Sequence, residues 1–426
     1  MNVLWISGSP LPIFAKEINC PGGGSLWLVS LSQKIRKALK DDEKFTIICA
    51  VPSVEFECTR IIDNIEYIGV YSSNGLPYET YFTDKVVDII NNFNPGVIHI
   101  WGTEGEFSYA GFKAVEKCGL KKNTVISIQG LVSVIPKHYY TGIPLKYIYG
   151  YSMVELKRRD NIFIQRKSFI KRGEYEKYII SNAINVIGRT DWDYTNSLFI
   201  NPEIKYFHCN ESLRKPFYEN KWQIENCKRH TIFLSSSAYS IKGFHMMLEA
   251  LGILKKFFPD VHAYVPGKDR LTASFSERIR FNGYDNYLLS LIKRYDLADN
   301  VTFLGHLDEE EMCKQYLAAN VFVSSSSIEN SSNAICEAMI LGTPVVASCV
   351  GGIQSLMTHE REGFLYSVDA PYMLAHYIKK IFENDSLAKE LSENSRKRAF
   401  ATHNLDTICE RTIEIYNEMI GATIND

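Results

Sequence analysis

Ser324-Ser325-Ser326-Ser327-Ile328-Glu329-Asn330-Ser331-Ser332-Asn333-Ala334-Ile335-Cys336-Glu337-Ala338-Met339, followed by Gly342-Thr343-Pro344, decides how the chain reads. It follows the apolar run Val321 to Val323, a strand buried on both faces. The Ser/Asn-rich turn then leads into a helix expected to start near Asn333 and to stop at Gly342, with Pro344 barring continuation. Strand, loop and helix start form a place where anions bind. The unpaired N–H groups of Asn333, Ala334 and Ile335 would point outward with the positive end of the helix dipole, as a pyrophosphate requires. Glu329 stands in the loop and Glu337 eight positions on, so both carboxylates border one small ligand, one near a sugar and one near a ribose. The plainer alternative is a serine-rich helix cap with two surface glutamates.

Outward from this stretch the same grammar repeats. Before it come His230 to Leu234, the helical stretch Phe244 to Phe257, Val261 to Val265 and Val301 to Leu304; after it comes Thr343 to Ala347. The first half carries Val3 to Ile6, Phe45 to Ile48, Val97 to Ile100, Val125 to Ile128 and Asn185 to Ile187, with helices such as Ser25 to Leu39 and Thr83 to Phe93 between them. Short doubly buried strands alternating with amphipathic helices predict α/β architecture in both halves. The polar segment Glu211 to Arg229 reads as the linker. Two Rossmann-like domains in tandem bind ligands outside the carboxyl ends of their strands, so the site is expected in an interdomain cleft.

The chain has 426 residues, enough for two ordinary domains, and a formal charge of -2, which gives no reason to expect nucleic acid as a partner. Its 10 cysteines form no CxxC pair or Cys/His cluster, which argues against a disulfide framework and a zinc site and for a reducing compartment. The start, Met1 to Ser9, reads as a buried strand rather than a signal peptide, and no apolar run approaches the ~18 residues of a membrane span. A cytoplasmic protein, at most peripheral on the inner face of a membrane, is the expectation.

Three further places carry candidate chemistry. In Ser235-Ser236-Ser237-Ala238-Tyr239-Ser240-Ile241-Lys242-Gly243, Lys242 sits where an ammonium stabilises a leaving diphosphate; a solvated helix cap is the bland reading. Pro21-Gly22-Gly23-Gly24-Ser25 lets backbone approach a ligand closely, although its spacing is not GxGxxG and it lies far along the chain from the strand end at Ile6. A sugar-nucleotide oxidoreductase or epimerase is therefore disfavoured. On the acceptor side His99, Glu104, Gln129, His138 and Arg189 are candidates. A lone histidine in an apolar strand is more often a core residue, and that reading is preferred for His99.

These residues resemble glycosyltransferase family 4, the retaining enzymes of the GT-B fold. The E-x7-E pattern is Glu329 to Glu337 in IENSSNAICEAMILGTPVVAS, the lysine lies in SIKGFHMMLEAL, and TFLGHL (Thr302 to Leu307) and EGFLY (Glu362 to Tyr366) fall in the family's order. The resemblance implies a donor domain over 216–404, an acceptor-side domain over 1–215, and a last helix within 405–426 that returns to the first domain. It further implies that Glu329 contacts the donor sugar and Glu337 the ribose, that Asn333 to Ile335 contact the phosphates, and that Gly23 and Gly24 belong to the family's glycine loop. Ser237 stands where many members have an arginine, Asn330 where the family has a glycine, and Gln129 where a histidine is often found. Phosphate grip then falls to Lys242, to backbone or to Arg189.

The function so implied is retaining transfer from a nucleotide diphosphate sugar, uridine diphosphate ahead of guanosine diphosphate, to a glycan or lipid-diphosphate acceptor in polysaccharide synthesis. No cofactor and no metal are expected. A catalytically silent nucleotide-sugar-binding protein is the rival, with Gln129 and Ser237 as marks of lost chemistry. Between Ile135 and Lys177 the chain is basic and aromatic together, with Lys137, Lys146, Lys157, Arg158, Arg159, Arg166, Lys167, Lys171 and Arg172 among tyrosines that include Tyr151. This is either a surface for a lipid acceptor or anionic membrane, or a solvated helical pair.

Overall fold

The computed structural model describes residues 1–21, 24, 26–71, 78–150, 152–158 and 161–424. Its chain forms two compact units, one of Met1–Ser133, Ile170–Ser212 and His403–Asp426, the other of Val134–Phe169 and Leu213–Thr402. The first is built on β1 (Val3–Ser7), β2 (Phe45–Val51), β3 (Thr59–Ile62), β4 (Ile65–Tyr71), β5 (Val97–Trp101), β6 (Thr124–Ser127), β7 (Asn185–Gly188) and β8 (Lys205–His208). They lie in the order β3-β4-β2-β1-β5-β6-β7-β8, parallel except for β3 against β4. The second has β9 (Thr231–Phe233), β10 (His262–Val265), β11 (Val301–Phe303), β12 (Val321–Ser324), β13 (Val345–Ser348) and β14 (Phe364–Tyr366) in the order β11-β10-β9-β12-β13-β14, all parallel.

Every continuous apolar run noted in the sequence is a strand. Those missed have identifiable causes. β3 and β4 form a hairpin closed by Asp63 and Asn64, both at positive φ (52° and 60°), a two-residue turn that the Asp-Asn pair announces. β3 is mostly exposed, so it lacks the apolar run that marked the others. The helix after β12 spans Asn333–Leu341 and ends on Gly342 in the left-handed region (φ 84°), as the Gly-Thr-Pro sequence predicts.

The closing helix, Leu405–Ile424, packs in the first unit. Ile408, Ile415, Tyr416 and Met419 join Val3, Trp5 and Leu28 in one core, and the Trp5 indole donates to the Tyr416 hydroxyl at 2.9 Å.

The structure corrects the domain assignment of 134–169, which sequence order placed with the first half. Tyr139, Ile143, Ile148 and Ile162 are buried in the core of the second unit. The Tyr287 hydroxyl donates to the Gly142 carbonyl at 2.9 Å, and the Gly283 amide donates to Glu155 at 2.9 Å. Contacts of this kind, over more than a hundred residues of chain, leave no trace in local periodicity. The helix Ile162–Asn182 is accordingly shared, its residues to Phe169 belonging to the second unit and those from Ile170 to the first.

Candidate functional site

In the second unit the chain winds from β9 outward to β10 and β11, then returns to place β12 on the other side of β9. The loops after β9 and β12 thus diverge at the point where strand order reverses, which is where open parallel sheets hold ligands. Lys242 ends the first loop and Glu329 lies in the second. Their side chains meet there, Lys242 Nζ to Glu329 Oε1 at 2.6 Å, and Ser326 Oγ donates to the same oxygen at 2.7 Å.

Two glycines fix the loop that carries Glu329. Gly243 (φ 68°) lies so close that a Cβ would stand 1.8 Å from the Ser325 carbonyl oxygen, and at Gly351 (φ 53°) a Cβ would stand 1.9 Å from that of Glu329. The Gly352 amide donates to the Glu329 carbonyl at 3.0 Å and the Ser327 amide to that of Ile241 at 2.8 Å. The serines therefore pin the loop rather than decorate it. Ser325 Oγ reaches the Lys242 carbonyl, Ser327 Oγ that of His138, and Ser348 Oγ that of Ser326. Gly351→Ala is expected to lower stability by about 1–3 kcal/mol through left-handed strain and to loosen Glu329, checked by chemical denaturation.

Beyond this loop the helix Asn333–Leu341 begins at Ser332 with no side-chain cap. Asn333 and Ala334 are half-buried and Ile335 is buried. An uncapped start leaves the first-turn amides for a ligand, and the helix dipole favours an anion there. Asn330 is buried beside it.

Glu337 is only 5% exposed and is held by a partner the sequence reading missed. Arg214 grips it bidentately, Nε to Oε1 at 2.7 Å and Nη2 to Oε2 at 2.8 Å, with the guanidinium 4.7 Å from the centre of the Phe217 ring. Burial pushes the Glu337 carboxyl up and Arg214 draws it down. No spacing signals this pair, whose members lie 123 residues apart.

Ser237 is corrected as a donor contact. It is fully buried, its hydroxyl donates to the Pro266 carbonyl at 3.0 Å and accepts from Arg270 at 3.1 Å, and Arg270 is in turn held by Asp285 at 2.7 Å. The side chain thus faces a structural ion pair. His138 belongs to the second unit; its carbonyl accepts from Ser327 Oγ at 3.2 Å, and burial followed by Lys137 lowers its imidazole pKa.

In the first unit strand order reverses between β1 and β5. Gly24, distant from β1 along the chain, folds back to its carboxyl end: its amide donates to the Pro10 carbonyl at 3.1 Å, and a Cβ there would meet Ser9 Oγ at 2.4 Å. Gly22, Gly23 and Ser25 lie outside the described residues. Glu104 follows β5 and Gln129 follows β6. The Gln129 amide donates to Glu211 at 2.5 Å, and Arg189 pairs with the other oxygen of the same carboxylate. Arg189 also donates to the carbonyls of Ile128 and Gln129, so it braces the edge of this sheet from a buried position rather than offering a cation to a phosphate. His99 is a core residue at 0% exposure, bonded at both ring nitrogens to Tyr416 and Ser127 at 2.7 Å, with burial lowering its pKa. It has no surface from which to meet a substrate.

The basic and aromatic segment divides between the units. Lys171 pairs with Glu106 at 3.3 Å and Arg172 donates to the Glu104 carbonyl at 2.8 Å, both in the first. In the second, Arg166 and Lys167 lie over the rings of Tyr140 and Phe163, while Lys137, Lys146 and Lys157 are exposed near Leu145 (69% exposed) and Leu156 (62% exposed). Tyr151 and Arg159 fall outside the described residues.

An open cavity lined by Arg36, Lys44, Thr46 and Glu66 sits at the amino ends of β2 and β4, the edge opposite the one where parallel sheets hold ligands. Among the described residues no group of three or more His, Cys, Asp or Glu is placed to hold a metal ion, and no helix is long and apolar enough to cross a membrane.

Residues 216–398 match the family described as Glycosyl transferases group 1. An uncharacterized glycosyltransferase of Methanocaldococcus jannaschii is 29% identical over 139 residues, 32% of this chain and 36% of its own length. The chain therefore spans little more than a third of that relative. Among solved structures, the sucrose-phosphate synthase of Thermosynechococcus elongatus aligns over 99% of this chain and 100% of its own, with TM-score 0.71 and 18% identity. HepE of Anabaena, solved in complex with UDP-glucose, aligns over 98% of this chain and 100% of its own, with TM-score 0.68 and 18% identity. At such identities the likeness establishes the fold, which is GT-B.

Proposed function

We propose, for a chain that belongs through residues 216–398 to the glycosyl transferases group 1, that it moves a sugar with retention from a nucleotide diphosphate sugar to a glycan or lipid-linked acceptor. The observation that carries this reading is the switch point of the second sheet, where Lys242 and Glu329 meet in a loop pinned by Gly243 and Gly351, followed by an uncapped helix start. An ammonium and first-turn amides suit a diphosphate, and a carboxylate suits sugar hydroxyls. HepE, similar in fold, was solved with UDP-glucose, which supports uridine diphosphate as the carrier.

In the proposed reaction the bond between the anomeric carbon and the diphosphate oxygen breaks as the acceptor oxygen bonds to the same face. The acceptor's proton passes to the departing diphosphate. No protein base is needed, which suits an edge where Gln129 is bound to Glu211. Lys242 and the helix amides stabilise the charge growing on the leaving group, the task a metal performs elsewhere. The exposed lysines near Leu145 and Leu156 suit a peripheral contact with an anionic membrane carrying a lipid-linked acceptor.

A thermal-shift screen of UDP- and GDP-sugars tests the reading, because a ligand bound only by the folded state raises its stability, by roughly 2.7 kcal/mol at a hundredfold excess over Kd. A UDP-sugar is expected to raise the melting temperature and Lys242→Ala to diminish the shift. No shift with any nucleotide sugar overturns the reading. Binding without turnover would favour the silent binder.

A further inference from the structure

The loops that leave β1 and β5 part at the switch point of the first sheet, the position equivalent to that of Lys242 and Glu329 in the second. They are in close contact: a Cβ at Gly8, just after β1, would stand 2.2 Å from the Phe107 ring, just after β5. Between β5 and that ring stands Glu104. Its carboxyl lies over two glycines, with Oε2 2.8 Å from where a Gly102 Cβ would be (φ 101°) and Oε1 3.5 Å from that of Gly130. The side chain of Gln129 adjoins it, 3.7 Å from the same Gly102 position.

Every other charged group around this carboxyl has been given work. Glu176 accepts from Thr103 Oγ1, the Val132 amide, and the amide and hydroxyl of Ser133. Arg189 holds Glu211, and Arg172 donates to the backbone carbonyl of Glu104. Glu106 takes Lys171. The Glu104 carboxyl has its own backbone amide and no side-chain hydrogen bond among the described residues. A half-buried carboxyl without such a partner, at a ligand-binding edge with bare glycines beneath it, is underused for stability.

We propose that the Glu104 carboxyl holds a neutral sugar hydroxyl of the acceptor at the carboxyl edge of the first sheet. This rests on the glycosyl-transfer reading and names the chemistry of its second substrate. Glu104 and Glu176 put two carboxyls side by side, which repel a phosphate but accept the hydrogen of a hydroxyl. Burial, then Glu176, push the Glu104 carboxyl up to about 7, against the pull of Arg172 and Arg189. A hydroxyl donor supplies what the ionised form lacks, so acceptor affinity rises as pH rises through that value.

The test is saturation-transfer NMR of the full chain with a panel of methyl hexopyranosides and with glucose 6-phosphate, at about pH 6 and pH 8, either side of the raised pKa. At least one glycoside is expected to bind the wild type, more tightly at the higher pH. Glu104→Ala is expected to weaken it by about tenfold or more, the usual worth of a hydrogen bond to a charged group. Glu104→Gln is expected to retain part of the affinity without the pH dependence, which a merely structural role would not reproduce. Because the folded carboxyl binds its proton more tightly than the unfolded one, the wild type also loses stability as pH rises through about 7, and Glu104→Gln lacks that step. Equal glycoside affinity in wild type and Glu104→Ala, no glycoside bound at all, or preference for the phosphorylated sugar overturns the proposal. The measurement needs no donor, so a parallel thermal shift with UDP-glucose registers failure of the underlying reading separately.

Discussion

Glu329→Ala is expected to cut turnover of the nucleotide sugar by about a hundredfold or more, the typical cost of losing one preorganised electrostatic contact to a transition state. The geometry makes a sharper statement about binding. Glu329 neutralises Lys242 at 2.6 Å, so removing the carboxylate frees the ammonium for the diphosphate. Donor affinity is therefore expected to hold or tighten while kcat falls. Lys242→Ala does the opposite, leaving a carboxylate beside the diphosphate, so donor affinity and kcat fall together. Both side chains reach solvent, at 34% and 14% exposure, so neither change should lower the melting temperature much. Separate determination of kcat and KM with the UDP-sugar found by thermal shift checks this. Full turnover by Glu329→Ala would remove Glu329 from the reaction.

Arg214→Ala is expected to be the most damaging single substitution for stability, by about 3–5 kcal/mol near neutral pH, because it strands the buried Glu337 carboxylate. The cost should depend on pH in a definite direction. Burial already raises the Glu337 pKa, and without Arg214 nothing in the pair opposes it. A carboxyl with a raised folded pKa supports the fold while protonated and ceases to as pH rises through that pKa. The variant should therefore lie closest to wild type in mild acid and fall away towards neutral and alkaline pH, as denaturant titrations across pH would show. Glu337→Gln alone should cost less, since Gln leaves no buried charge. A pH-independent deficit in Arg214→Ala would mean that the guanidinium acts only through its packing on Phe217.

The ribose contact inferred for Glu337 also meets Arg214. Both oxygens of Glu337 are occupied by the guanidinium, so a ribose at this position would share the carboxylate with Arg214. The residue spacing that suggested a free carboxylate contains no information about a partner in a different helix.

What the amino-acid order by itself determined is whatever depends on a few neighbouring residues: the doubly apolar strands, the helix from Asn333 with its stop at Gly342, and the Lys-Gly and Glu-x7-Glu stretches after β9 and β12. Strand burial, capping and left-handed glycines act over one to four positions, so they are written locally. Tertiary structure alone decided the pairing of Lys242 with Glu329 and of Arg214 with Glu337, the burial of Ser237 under Arg270, the bracing role of Arg189, and the transfer of 134–169 to the second unit. Each joins groups distant along the chain through charge, shape and desolvation, and only the folded arrangement of the strands brings those groups within reach.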